Sequence, residues 1–227
     1  MSEYRQVTFQ LPAGATEFIL VRHGESRAAI DGNPFPMVDG RGDPELHPNG
    51  EIQAKAIRDK LKHERIDAIY VTSLRRTHQT AAPLADTLGM TPTVEARLRE
   101  VCLGEWEGGL FRIKAHQKDP TFLRIRSERR WDVIPGAESK SDLDARVLPA
   151  LDHITSKHAD QRVVLVLHGG IIAHILEHAT GANAMAFSGA DNGSISKLVR
   201  TADDWVIRSF NDTSHLPVIE GANHGLS

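Results

Sequence analysis

Twice in this chain an apolar run of strand length, rich in β-branched residues, ends abruptly in a histidine followed by glycine. The first is Phe18-Ile19-Leu20-Val21-Arg22-His23-Gly24, the second Val163-Val164-Leu165-Val166-Leu167-His168-Gly169-Gly170. Runs of this kind are the mark of strands buried on both faces, and such strands need layers of helix above and below them. In open α/β sheets ligands bind beyond the carboxyl ends of the strands. Two histidines delivered to that edge, one beside an arginine, point to a site that handles an anion, with phosphate the first candidate.

The segments between the cassettes supply the covering layers. A loop from Ala29 to Pro48, rich in Gly, Pro, Asp and Asn, leads to a helix heralded by Asn49 and running to about His63, with Ile52, Ala56, Ile57 and Leu61 at helical spacing. A strand follows from Asp67 to Thr72, then a helix from Thr77 to Leu88 that closes at Gly89. Thr91 to Val101 reads as extended or irregular, and Leu143 to His158 as an amphipathic helix. After the Val163 strand come a helix from Gly170 to Thr180, stopped by Gly181, and two strands, Ser194 to Arg200 and Trp205 to Phe210. The pattern predicts an α/β fold, a three-layer sandwich whose mostly parallel central sheet is flanked by helices. No repeat or long linker divides residues 1–227, so one domain is expected, with a loosely held tail after Asn211.

Composition narrows the partners. A chain of 227 residues, 40% hydrophobic and 25% charged, can bury a core as one domain. With 27 basic residues against 30 acidic, the net charge of −3 carries no global footprint for nucleic acid, and positive potential must come from a few residues converging in a cleft. The single cysteine, Cys102, excludes an intrachain disulfide and fits a reducing compartment; between Val101 and Leu103 it reads as a buried small hydrophobe. Met1 to Thr16 lacks the order of a signal peptide, and no apolar run approaches the roughly 20 residues of a membrane span. The expectation is a cytoplasmic protein with no membrane partner. Arg41-Gly42-Asp43 reads as a turn.

Chemistry concentrates in a few segments. A guanidinium at the end of a buried strand is costly without an anionic partner, and Arg22 offers a planar fork that matches phosphate oxygens. Arg75 and Arg76 stand at a strand-to-helix junction, where unpaired backbone amides favour anions. The stretch Leu98-Arg99-Glu100-Val101-Cys102-Leu103-Gly104-Glu105-Trp106-Glu107-Gly108 adds carboxylates, and hydrolysis of a phosphomonoester needs a proton donor for the leaving oxygen. His174 and His178 lie four apart, a spacing that could place two imidazoles on one metal, but no nearby Cys or Asp completes a set. The basic stretch from Phe111 to Asp132 reads chiefly as a solvated helical face with aromatic anchors on its inner side, the alternative being that at least one of its cations touches substrate.

These segments, in this order, resemble the histidine phosphatase superfamily, which includes cofactor-dependent phosphoglycerate mutases and acid phosphatases. The resemblance runs from about Phe18 to Arg200. It takes in Leu46-His47-Pro48-Asn49-Gly50 with Gln53-Ala54, Arg76-Thr77-His78-Gln79-Thr80-Ala81, and Pro135-Gly136-Ala137-Glu138-Ser139 with Arg146. It implies a phosphoglycerate mutase-like fold with an insertion at about 105–140 covering the cleft. It makes His23 the nucleophile, Arg22 and Arg76 phosphate ligands, Glu100 the proton donor and His168 the second histidine. Ser26 and the Gly169 amide become substrate-binding groups.

What the resemblance implies is a phosphohydrolase acting on a small phosphorylated substrate through a phosphohistidine, with no cofactor and no metal. The alternatives are a phosphoglycerate mutase-type phosphotransferase and a non-catalytic scaffold that binds phosphorylated ligands. One departure weighs against the mutase: where the family often has an asparagine contacting phosphate, this chain has Ala29. Oligomeric state stays open, a homo-oligomer included.

Overall fold

Alternation along the first strand decides the layers, because neighbouring side chains on a strand point to opposite faces. In β1 (Thr16–Arg22) Phe18 and Leu20 enter one apolar cluster, and Ile19 and Val21 enter another. All four are completely buried. The computed structural model describes residues 3–218, and in chain order it continues with a hairpin of β2 (Met37–Val38) and β3 (Arg41–Gly42), then α1 (Pro48–Leu61) and β4 (Ala68–Val71). Next come α2 (Arg75–Leu88), β5 (Thr93–Val94), α3 (Leu110–His116), α4 (Pro120–Glu128), α5 (Lys140–Lys157) and β6 (Arg162–Leu167). The chain closes with α6 (Gly169–Thr180), β7 (Ile195–Arg200) and β8 (Trp205–Asp212).

The six-stranded sheet has the order β5-β4-β6-β1-β7-β8. β5, β4, β6 and β1 run parallel, and β7 and β8 add antiparallel pairings at one side. Side chains from α5 and α6 cover the Phe18 and Leu20 face, those from α1 and α2 the Ile19 and Val21 face. The fold is therefore the expected α/β sandwich. Among the described residues no helix is long and apolar enough to cross a membrane.

Several local expectations shift. Helix α1 starts one residue early because Pro48 suits the first turn and the His47 ring accepts the Asn49 N–H at 3.2 Å. Its buried face is Gly50, Ala54, Ile57 and Leu61, whereas Ile52 is 45% exposed. Helix α2 opens at Arg75, so both arginines of the junction lie in its first turn. Cys102 is only half-buried, its Sγ 3.9 Å from the Gly40 carbonyl, because Val101 takes the inward-facing position. Residues 105–140 contain α3, α4 and their own apolar cluster of Trp106, Ile125 and Ile134. Of the segment after Asn211, β8 still includes Asp212 and the His215 ring bonds the Gly193 carbonyl at 3.0 Å. Residues 219–227 lie outside the described ones.

The layer arrangement makes a graded prediction. Leu20→Ala removes a fully buried side chain from a central strand and should cost about 2–5 kcal/mol in denaturant unfolding. Ile52→Ala, on the exposed flank of α1, should stay within about 0.5 kcal/mol of the parent.

Candidate active site

Register brings the two histidines together. In the parallel pairing of β1 with β6, Arg22 stands opposite Leu167, so His23 and His168 leave the sheet at one level. Their ring centroids are 5.2 Å apart, with the planes at 63°. The His23 N–H donates to the Leu167 carbonyl at 3.0 Å, and the Asn192 side-chain amide donates to the His23 carbonyl at 3.0 Å. Beyond His23 the chain runs tight against the start of α1: a Cβ on Gly24 would sit 2.5 Å from the Gly50 carbonyl oxygen. Only glycine permits that approach.

The two ring nitrogens of His23 have different tasks. Nδ1 lies 2.7 Å from the Gly24 carbonyl, which can only accept, so Nδ1 carries the proton. Nε2 is left with its lone pair, and Arg76 Nε donates to it at 3.1 Å. Burial lowers the His23 pKa well below 6.5, and the charges of Arg76 and Arg22 push the same way. The ring is held neutral, the form a nucleophile needs.

Arg76 also donates to the Gly42 carbonyl at 3.0 Å and stands 3.9 Å from Asp43, while Asp43 takes the neighbouring Arg75 at 2.9 Å. The two adjacent arginines are thus divided, one into the cleft and one onto its rim. Arg22 is anchored by the Ala190 carbonyl. His168 caps α6, fully buried, with Nε2 3.0 Å from the Thr72 hydroxyl. With that hydroxyl as donor, the proton of His168 sits on Nδ1, a buried atom that has no hydrogen-bond partner among the described residues. Burial, then Arg76, His23 and Arg22, also lowers the His168 pKa well below 6.5.

Glu100 closes the other side of the cleft. One carboxylate oxygen accepts its neighbour Val101's N–H at 2.9 Å, the other the Gly170 N–H at 3.4 Å. The backbone beneath is clamped: Arg146 donates to the carbonyls of Arg99 and Glu100 at 2.8 and 3.1 Å, and Arg41 to that of Glu100 at 3.2 Å. Glu138 ties the clamp, pairing with Arg146 at 2.7 Å and with Arg41 at 3.1 Å.

Arg22, His23, Arg76, Glu100 and Gly169 therefore line one cleft, with His168 buried beside His23. Ser26 is buried too, and its hydroxyl accepts from Arg112 at 2.8 Å. Arg112 departs from the expected solvated face. It lines the cleft, donates to the Arg27 carbonyl at 2.8 Å and lies 5.5 Å above the Phe35 ring. Burial, with Arg76 and Arg22 nearby, lowers its pKa to about 10. Other basic residues of the stretch do form exposed ion pairs, such as Arg124 and Arg130 with Glu128. Gly109, at φ 101°, was the available signal: a Cβ there would meet the Phe35 ring at 2.9 Å and Ala29 at 3.0 Å, so glycine lets α3 close onto the loop. Sequence reasoning also missed Arg41 and Asp43, which are not a surface turn but buried parts of the β2–β3 hairpin that hold Glu138 and Arg75. His174 faces Asp144 at 3.1 Å, while His178 meets the Trp205 ring edge-on.

Two buried neutral histidines make stability depend on pH. Unfolded, each ring takes up a proton near 6.5; folded, it does so only at lower pH, so the unfolded state binds more protons below 6.5 and stability falls there. Each ring should contribute about 1.4 kcal/mol per pH unit to that slope. His23→Asn should remove one such share, read from denaturant unfolding at pH 7.5 and pH 5.5.

Comparison with known proteins agrees with this geometry. A metal-independent phosphoserine phosphatase of Arabidopsis thaliana is 32% identical over 204 residues, covering 88% of this chain and 83% of that protein. A phosphoglycerate mutase-like protein 4 from the same plant is 33% identical, with 88% and 86% covered. Among solved structures, a mycobacterial glucosyl-3-phosphoglycerate phosphatase superposes with a TM-score of 0.71 at 26% identity, covering 88% of this chain and 100% of that one. A model of the histidine phosphatase superfamily (branch 1) matches residues 18–213, nearly the whole of the sheet and its helices, and the chain belongs to that superfamily.

Proposed function

We propose that this chain hydrolyses small phosphomonoesters through a phosphohistidine on His23. The observation that carries the reading is the His23 ring itself, buried, neutral and with Nε2 unprotonated, between Arg22 and Arg76 and across the cleft from the Glu100 carboxyl. Relatives described as phosphatases support it.

In the first step Nε2 attacks phosphorus, the P–N bond forms and the P–O bond to the leaving group breaks. Glu100, as the general acid, gives a proton to the departing oxygen. Arg22, Arg76, His168 and the Gly169 amide hold the remaining phosphate oxygens, where fixed positive charge carries most of the catalysis of phosphoryl transfer. Arg112 adds a third guanidinium whose field reaches His23. In the second step the Glu100 carboxylate takes a proton from water, the oxygen attacks phosphorus, and His23 leaves with its lone pair restored. The scheme draws on protein groups alone.

The same reading treats 1–227 as one domain with 105–140 as the cover of the cleft, supported by the Arg112 contacts to Ser26 and Arg27. The lone cysteine supports a reducing, cytoplasmic setting. A mutase must keep water from the phosphohistidine while an intermediate reorients. Ala29 supplies no polar group for that purpose, so the hydrolase takes precedence.

Three measurements test these roles. Acid-labile, base-stable phosphate should be trapped on the enzyme during turnover, and His23→Ala should lose at least 1,000-fold in kcat, on the order seen when a nucleophile is removed; near-normal activity would exclude the phosphohistidine. Glu100→Gln should slow alkyl phosphates at least tenfold more than p-nitrophenyl phosphate, whose leaving group needs little protonation. Offered 3-phosphoglycerate with 2,3-bisphosphoglycerate, the enzyme should release more inorganic phosphate than isomerised product.

A further inference from the structure

The proposed chemistry uses only the polar part of the cleft's lining. That lining also includes Phe35, Pro44, Leu103, Trp106, Phe111 and Trp131. Phe111 stands 5.9 Å from Trp131 with the rings at 58°, and 6.2 Å from Trp106 at 51°. Rings inclined at such angles can meet an aromatic guest by face or by edge.

Charge near this wall is already engaged. Among the described residues of the cleft outside the proposed catalytic set, the ionisable side chains are Arg41, Glu107 and Arg112. Glu107 accepts the N–H groups of Gly42 and Leu103, each at 2.8 Å. Arg41 is bound to two backbone carbonyls and to Glu138, and turning it toward a ligand would give up all three contacts. Arg112 is fixed by Ser26 and Arg27 and belongs to the phosphate end through its effect on His23. A substrate with a carboxylate on its leaving group would lose water there without gaining an uncommitted ionisable partner. An apolar body would gain burial without that loss.

We propose that the substrates of this cleft are phosphate monoesters of apolar, preferentially aromatic, alcohols. The inference rests on the phosphatase reading above and gives it a substrate class. Its test is a panel of esters with unactivated leaving groups: ethyl, butyl and 2-phenylethyl phosphate, with O-phospho-L-serine and 3-phosphoglycerate as the charged members. The value of kcat/KM should rise about three- to fourfold per methylene from ethyl to butyl phosphate, and 2-phenylethyl phosphate should exceed ethyl phosphate at least tenfold. It should exceed both charged substrates by a similar factor.

The ratio of 2-phenylethyl to ethyl phosphate does not depend on how much enzyme is folded, which makes it the readout for variants. Trp131→Ala and Phe111→Ala should each lower that ratio at least fivefold, while Trp131→Phe should keep most of it. Binding of 2-phenylethylphosphonate, which cannot be hydrolysed, reads the wall without turnover and should be at least tenfold tighter than binding of ethylphosphonate. A ratio near one, or preference for phosphoserine or 3-phosphoglycerate, overturns the inference while leaving the phosphatase reading intact. Tight phosphonate binding without phosphate release from any ester would uphold the apolar wall and overturn the phosphatase reading instead.

Discussion

His23 is neutral because burial removes the water an imidazolium would need and because Arg76 and Arg22 oppose a further positive charge. Much of the surrounding structure keeps those arginines where they are. Arg76 is fixed by its place in the first turn of α2 and by the Gly42 carbonyl of the hairpin, Arg22 by β1 and the Ala190 carbonyl. Four arginines and two glutamates line the cleft of a chain whose net charge is −3, so the positive potential is built locally. That excess is what a phosphate dianion would neutralise.

The parts of this site that could be read from sequence are those fixed by strand ends. Arg22, His23 and His168 follow directly from apolar runs that stop, since a parallel sheet aligns such ends by register. The two faces of the sheet were equally legible, because alternation and helical spacing are local patterns. What stayed hidden depends on distant segments meeting. Arg112 looked like one cation among many on a surface helix, and nothing within its own segment reveals that Ser26 and Arg27 are its partners. Arg41 and Asp43 carried turn-like neighbours, and their burial comes from Glu138 and Arg75, far along the chain. Ile52 failed for the opposite reason: helical spacing alone made it an inward residue, while the face that α1 turns to the sheet is set by Ile57 and Leu61.

The clamp around Glu100 illustrates how such long-range pairs serve chemistry. Arg146 from α5 and Arg41 from the hairpin both donate to the backbone of the segment that carries Glu100, and Glu138 couples the two. In the proposed role, where this carboxyl first gives and then takes a proton at one position, it would gain from a backbone held at several points. The Pro135-to-Ser139 motif thus acts at one remove, through Glu138 and the capping box that Ser139 and Asp142 build at the start of α5.

Pairing of β1 with β6 joins residues 145 positions apart in the chain, Phe18 with Val163 and Arg22 with Leu167. Closing so long a loop is entropically late, since local helices and hairpins form before distant strands can meet. Neither histidine faces the other until that step is complete. A phosphate-like ligand held between the two histidines would therefore act only on the finished molecule. Such a ligand would stabilise it by mass action, slowing unfolding rather than hastening folding.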